Sequence, residues 1–272
     1  MKLKIGFSCD TVDKQQAETA APVKSETVVP RKSVVQVQFP NRGSALAYYN
    51  DRFDLRVGDF VFVDGKLEGQ RGRVTAVNYN FKIKLSDYQR VIALADTAVT
   101  GQFHFAGSHV VTFDRCALPA EKVVTWFNPP AKEEDEFVSG SDDSAFRLDD
   151  LAGMKISPEI AQRGRDYYVN NNVLYLCLDG SRGYAIVQGN EAYEVELAYH
   201  DGEISRLTCS CFCSYNCKHE FAAMLQLRDT LDYIEKHYAD AYERTGYFAA
   251  VAKSTLFFFA MDGSDAGSFT LN

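Results

Sequence analysis

The chain has 272 residues, of which 46% are hydrophobic and 24% charged, so it is neither fibrous nor wholly disordered, and its length predicts two compact units. Its net charge of −8 excludes a surface uniformly coated in nucleic-acid-binding charge. The longest apolar run, residues 256–261, is far shorter than the ~20 residues that span a bilayer. The start of the chain, MKLKIGFSCD, lacks the apolar core of a signal peptide. We therefore expect a cytoplasmic protein without a membrane partner.

The charge is unevenly distributed along the chain. Residues 24–128 contain 14 Lys and Arg against 10 Asp and Glu, whereas residues 129–150 contain 2 against 8. The first large segment is thus the only basic part. If the protein binds DNA or RNA, this segment is where the sequence places the contact.

The first 33 residues are predicted to form one strand followed by a flexible connector. Residues 2–7 alternate lysine with apolar side chains and predict one strand, whereas residues 10–32 are typical of a flexible connector. Residues 34–127 contain short β-type runs separated by turns and show no helical periodicity. We expect this segment to form an all-β domain, a small barrel of the SH3-like type.

Four glycines stand among valines and basic residues in the run VGDFVFVDGKLEGQRGRVTAV, at Gly58, Gly65, Gly69 and Gly72. This run resembles the KOW motif of SH3-like barrels in ribosomal and transcription-elongation proteins. The longer pattern VVQVQFPNRG...LAYYNDRFDLRVGDFVFV is similar to the small DNA-end-binding domain of primosomal helicases. Both resemblances imply contact with nucleic acid. The alternative is that the glycines only serve tight turns.

A nucleic-acid-binding face is predicted on this barrel. Its candidate phosphate contacts are Lys66, Arg71, Arg73, Lys82 and Lys84. Two aromatic residues, Tyr79 and Phe81, are available to stack on bases. The alternative is an ordinary solvated face of the barrel.

An acidic linker is predicted over residues 128–150, which combine a proline pair with acidic, serine and glycine residues. A second unit, residues 151–246, begins with a helix that Ser157 caps and Pro158 opens. Four strands follow as a meander, and the apolar pattern after Lys218 predicts one helix, or two abutting helices, closing near Gly246. Residues 247–272 are predicted to form a last hairpin.

Four cysteines and one histidine crowd into the segment 209–219, which reads CSCFCSYNCKH. Cys209 and Cys211 lie at a strand end. Side chains two residues apart on a strand point to the same side, so both thiols can face one ion. Two residues turn a helix by ~200°, so Cys217 and His219 must straddle a helix start to face one ion. The spacing predicts a Zn²⁺ ion held by Cys209, Cys211, Cys217 and His219. In the alternative register Cys213 replaces Cys209.

Four protein ligands close a tetrahedral zinc site and leave no position for a reactive water, so the predicted zinc is structural. The run His219-Glu220-Phe-Ala-Ala223 lacks the second histidine of the zinc-protease motif H-E-x-x-H. There is also no G-x-S-x-G, phosphate-binding loop or G-x-G-x-x-G motif. The sequence therefore predicts a protein that is not an enzyme and has no small-molecule substrate.

The pattern C-x-C, five residues, C-x-H, opening the apolar helix CKHEFAAMLQL, resembles the SWIM zinc-finger family across residues 158–228. The resemblance implies a zinc module of a β-meander plus helices, which members use for DNA binding or protein contacts. One departure is Phe212, where a proline commonly follows the second cysteine. That leaves Cys213 as an additional thiol without an assigned role.

Two functions remain open at this point. The basic barrel and both family resemblances favour a nucleic-acid-associated accessory factor, with DNA or RNA bound by the barrel and a protein partner docked on the zinc module. The negative net charge and the acidic linker favour a protein-interaction adaptor with a purely structural zinc.

Overall fold

A computed structural model of the chain describes residues 30–130, 144–211, 213, 215–265 and 267–272. Within them the fold is mixed α+β, with two β-sheets and five α-helices. The strand predicted over residues 2–7, the connector 10–32 and most of the acidic linker lie outside the described residues.

The helices, in chain order, are α1 (Ala120–Val124), α2 (Pro158–Val169), α3 (Lys218–His237), α4 (Ala239–Thr245) and α5 (Lys253–Asp262). The strands are β1 (Ser33–Gln38), β2 (Leu46–Asn50), β3 (Phe60–Val63), β4 (Arg71–Asn78), β5 (Val91–Leu94), β6 (Gly101–Ala106), β7 (His109–Thr112), β8 (Phe146–Arg147), β9 (Val173–Asp179), β10 (Arg182–Gln188), β11 (Ala192–His200), β12 (Glu203–Cys209), β13 (Tyr247–Ala252) and β14 (Phe269–Leu271).

The smaller sheet has the strand order β2-β1-β4-β3-β5 and its own apolar core, which includes Val35, Val37 and Val61. Its edge strands approach each other at a single bridge between Tyr49 and Arg90. The sheet is therefore an open one, and the closed small barrel expected from the sequence is not formed in the described residues. One bridge cannot satisfy the backbone groups of two whole edge strands.

The larger sheet has nine strands in the order β14-β6-β7-β13-β9-β10-β11-β12-β8. All neighbouring pairs are antiparallel except β14 with β6, which is parallel. Strands β6 and β7 belong to this larger sheet, although the sequence predicts that the whole segment 34–127 forms one β domain. These two strands pair instead with β13 and β14, because their buried residues complete the core of the larger sheet.

The prediction of a hairpin over residues 247–272 is wrong. Strand β13 lies in the middle of the larger sheet, helix α5 replaces the expected strand STLFFFAM, and β14 pairs with β6. A short apolar run has no periodicity that separates a strand from a buried helix. Here Leu256, Phe259 and Ala260 pack at helical spacing into the core.

The larger sheet has an apolar core on each face. Side chains alternate along β9, so Leu176 and Leu178 join the core beneath α2 and α3, whereas Tyr175 and Cys177 join the core that contains Trp126 and parts of α1 and α5. This alternation gives a three-layer arrangement in which the sheet separates two helical layers.

Several local predictions of the second unit are confirmed. The Ser157 side chain accepts a hydrogen bond from the Ile160 amide, and Pro158 opens α2. The four predicted meander strands are β9 to β12. Asp201 and Gly202, with positive φ angles of 48° and 81°, form the tight turn between β11 and β12. Helices α3 and α4 abut at Tyr238, and α4 ends at Gly246 in the left-handed conformation.

No helix among the described residues is long and apolar enough to cross a membrane.

Candidate metal centre

The site forms where β12 ends and α3 begins. Cys209 is the last residue of β12, and Cys217 is the N-cap of α3. The Glu220 amide donates a hydrogen bond to the Cys217 sulfur at 3.5 Å, and the Cys217 amide donates to a Glu220 carboxylate oxygen at 2.6 Å. This reciprocal pair is a capping box that fixes the first turn of α3 and, with it, two of the candidate ligands.

The four residues predicted from spacing converge. The Sγ atoms of Cys209 and Cys217 lie 3.8 Å and 3.7 Å from Nδ1 of His219. One ligand atom from each of Cys209, Cys211, Cys217 and His219 lies within 4.8 Å of all the others. Typical Zn–S and Zn–N bond lengths give tetrahedral S···N edges of about 3.6 Å and S···S edges of about 3.8 Å. The arrangement therefore fits one tetrahedral ion, with Nδ1 as the histidine ligand.

The His219 ring is held between two tyrosines. The Tyr193 ring stacks on it with a centroid distance of 4.3 Å, and Tyr167 meets it edge-on at 5.4 Å. A Cβ at Gly189 would lie 3.2 Å from His219 Nε2 and 2.8 Å from the Tyr193 ring, so only glycine leaves room there. His219 is 4% exposed, and its Nε2 has no hydrogen-bond partner among the described residues.

Burial favours the uncharged forms of the candidate ligands His219 and Cys211. It lowers the pKa of His219 to about 4 and raises the pKa of Cys211 to about 12. The pKa of Cys217 is also raised, first by its hydrogen bond with Cys209 and then by burial. The neutral imidazole is the form that binds metal, and a divalent cation supplies the charge that favours thiolates. The donor set therefore suits a metal such as Zn²⁺.

Cys213 lies outside this group. Its side chain is exposed, whereas Cys217 is buried and Cys209 and Cys211 are partly buried. The converging set is thus the one in which Cys209, not Cys213, faces His219.

Two of the residues predicted to bind nucleic acid, Arg71 and Arg73, already make hydrogen bonds within the protein. The Arg71 guanidinium lies 4.5 Å from the Phe259 ring centroid and donates a hydrogen bond to the carbonyl oxygen of Trp126. Burial lowers the pKa of Arg71 to about 10. Arg73 donates to the carbonyl oxygen of Asp262, at the end of α5. Arg71 is therefore partly buried between the smaller sheet, α5 and the segment that follows α1, whereas Arg73 is exposed and is held by its hydrogen bond at the end of α5.

The remaining predicted contacts are on the surface of the smaller sheet. Lys66, Lys82 and Lys84 are exposed. The Tyr79 side chain is 37% exposed, with the Arg31 guanidinium 4.2 Å above its ring, and Phe81 packs edge-on against Tyr49 with a centroid distance of 6.1 Å. The structure thus leaves three lysines and one tyrosine available, but not the two arginines.

Sequence reasoning missed the residues that support the ligands. Glu220 stands three positions after the cap, which is the capping-box spacing, and a cysteine in the cap position hid that signal. Tyr193, Tyr167 and Gly189 are distant from the cysteines in sequence, and no local pattern connects them to the site.

No protein-family model, no curated protein and no solved structure matches the chain. The SWIM and KOW resemblances therefore rest on the residues quoted above.

Proposed function

We propose that the protein binds one structural Zn²⁺ ion through Cys209, Cys211, Cys217 and His219, in a module of the SWIM type. The observation that carries the proposal is the convergence of three sulfurs and one imidazole nitrogen within 4.8 Å. When bound, the ion supplies a cross-link between the end of β12 and the start of α3. Four protein ligands leave no open coordination position, which supports a structural and not a catalytic role.

The experiment is metal analysis of the purified full chain. We expect one zinc per chain in the parent protein and in Cys213→Ser, and less than a tenth of this in Cys217→Ser. Retention of stoichiometric zinc by Cys217→Ser would overturn the ligand set. Because Cys213 is exposed and Cys217 is buried, the far-ultraviolet circular dichroism of both variants is recorded with the metal content.

We further propose that the protein is a nucleic-acid-associated accessory factor, with the smaller sheet, as an SH3-like element, contacting DNA or RNA. Support comes from the exposed Lys66, Lys82 and Lys84 and from the accessible ring of Tyr79. With three lysine contacts, the affinity for single strands falls with salt with a logarithmic slope of about −2. Arg71 and Arg73 are left out of this surface because the fold already uses both.

The test is fluorescence anisotropy of labelled single- and double-stranded oligonucleotides with the full chain. Replacing Lys82 and Lys84 with glutamate is expected to weaken binding at least about tenfold, since two attractive contacts become repulsive. The same replacement at Lys236 and Lys253, two lysines of α3 and α5, is the control. Absence of binding at low salt by the parent chain would remove the nucleic-acid proposal.

A protein-interaction adaptor is the second candidate. The hydrogen bonds of Arg71 to Trp126 and of Arg73 to Asp262 favour it, because they engage the two arginines that were candidates for phosphate contacts. The adaptor function becomes the favoured one if the parent chain retains zinc but binds neither DNA nor RNA.

A further inference from the structure

A cavity of 530 Å³ lies beside α1, over the face of the larger sheet that carries Cys177. Its floor is formed by β9, β10 and β11, and one wall by residues of α1. Pockets of about 300–1,000 Å³ accommodate small organic ligands. The metal ligands do not line it, so it is a separate feature of the fold.

The strand register determines where the charged side chains lie along the floor of this cavity. Arg182 on β10 is opposite Asp179 on β9, and the next residue on the same face, Tyr184, is opposite Glu196 on β11. Glu194 is opposite Ile186, two positions further on. Residues two apart on a strand are separated by about 6.6 Å. Arg182 therefore lies at one end of the cavity floor and Glu194 at the other, with Glu196 in the row between them. Glu121 of α1 adds a further carboxylate to the lining.

The ion pairs within the cavity leave both ends with unbalanced charge. Asp179 is already paired with Arg115 at 2.8 Å, so Arg182 has no ion-pair partner among the described residues. The carboxylate of Glu194 accepts hydrogen bonds from the Tyr184 hydroxyl and the Asn128 amide, each at 2.9 Å. Both of these donors are neutral, so they orient the carboxylate without cancelling its charge.

Part of the cavity lining is apolar or uncharged. Val124 of α1, Cys177 and the ring of Tyr184 line it, whereas the Leu197 side chain packs in the core on the opposite face of the sheet. Burial raises the pKa of Cys177 to about 11 and raises that of Tyr184, so both are neutral at pH 7. Neither group is an activated nucleophile or base, and the cavity is equipped to bind and not to react.

We propose that this cavity binds a small zwitterion, a dipeptide with an apolar side chain, whose carboxylate faces Arg182 and whose ammonium faces Glu196. An extended dipeptide spans at most about 7 Å, which matches the distance between successive side-chain rows. This ligand is not a substrate, and the site is independent of the zinc centre and of any nucleic-acid contact.

The test is isothermal titration calorimetry of the full chain with the dipeptide alanyl-leucine, free leucine and the diamine putrescine. We expect saturable one-site binding of alanyl-leucine and weaker binding of leucine, whose two charged groups are closer together than the rows of Arg182 and Glu196. N-acetylated and C-amidated alanyl-leucine are expected to bind at least about tenfold more weakly than the unblocked form, because each loses one charge-assisted interaction.

The variants Arg182→Gln and Glu196→Gln each remove one charge from an exposed side chain and are expected to weaken binding about tenfold. Glu203→Gln, an exposed glutamate on β12 that does not line the cavity, is the matched control and should bind like the parent. Thermal unfolding and zinc content are measured for every variant, so that a folding defect is recognised. No saturable binding of alanyl-leucine, equal or tighter binding of leucine or putrescine, or unchanged binding by both variants would overturn the proposal.

Discussion

Replacing Gly189 with alanine tests whether the packing around His219 controls the metal site. The added Cβ would lie 2.8 Å from the Tyr193 ring and 3.2 Å from His219 Nε2, and both contacts are shorter than ordinary van der Waals separations. Since Gly189 does not have a positive φ, the change introduces a steric conflict without backbone strain. Relief requires that Tyr193 leave its stacked position or that the imidazole rotate away from the sulfurs.

The expected magnitude follows from two effects. Overpacking a buried site costs about 1–3 kcal/mol, and loss of groups that orient a metal ligand lowers metal affinity by about 10–100-fold. We therefore expect Gly189→Ala to bind Zn²⁺ at least about tenfold more weakly than the parent chain. The affinity is measured by competition with a chromophoric chelator, and stability by urea denaturation with and without zinc.

The control for this experiment is Gly43→Ala, because a Cβ at Gly43 meets no atom within 4 Å. It should leave zinc affinity unchanged. Tyr193→Ala, which removes the stacked ring, should reproduce part of the loss. If Gly189→Ala and Tyr193→Ala both keep the parental affinity within about twofold, the contacts around His219 do not orient the ligand and the reasoning fails.

Four further predictions follow from other contacts. Chelation of zinc should lower protection from hydrogen exchange in the first turns of α3 more than in β1 and β4, because the ion joins α3 to β12 whereas the smaller sheet has its own core. Gly164→Ala should lower the free energy of unfolding by about 1–2 kcal/mol, since its Cβ would lie 2.8 Å from the Phe221 ring and clash costs exceed the helix-propensity gain. Arg71→Met should lower it by about 1–3 kcal/mol in urea denaturation, because it leaves the Trp126 carbonyl unpaired and removes the contact with aromatic rings. Burial lowers the pKa of His109, so the unfolded chain binds more protons and stability should fall as pH drops below about 6.5, with a slope up to about 1.4 kcal/mol per pH unit that His109→Asn reduces.

Each of these predictions has an outcome that contradicts it. Equal loss of exchange protection in α3 and in the smaller sheet would mean that the metal holds the whole chain together. A Gly164→Ala protein more stable than the parent would show that α2 and α3 separate easily. Unchanged stability of Arg71→Met would make Arg71 dispensable for the fold, and a parental pH slope in His109→Asn would assign acid sensitivity to other groups.

The four candidate metal ligands and several element boundaries are predictable because they depend on local chemistry. The period of two at the end of β12 and the helix start after Cys217 set the ligand spacing, whatever surrounds them. The Ser157 cap and the turn at Asp201 and Gly202 are equally local, since each depends on residues fewer than five positions apart. Such features appear in the sequence because few backbone conformations satisfy them.

Other features were decided by the tertiary structure alone. These include the placement of β6 and β7 beside β13, the helical form of α5 and the burial of Arg71. Several such contacts join residues more than one hundred positions apart, and Arg73 and Asp262 are 189 positions apart. The stacking of Tyr193 on His219 and the placement of charged side chains along the cavity floor also arise only from strand register. Burial energy is gained by whichever surfaces meet, so a local pattern shows that a residue is apolar or charged but not which distant surface it contacts.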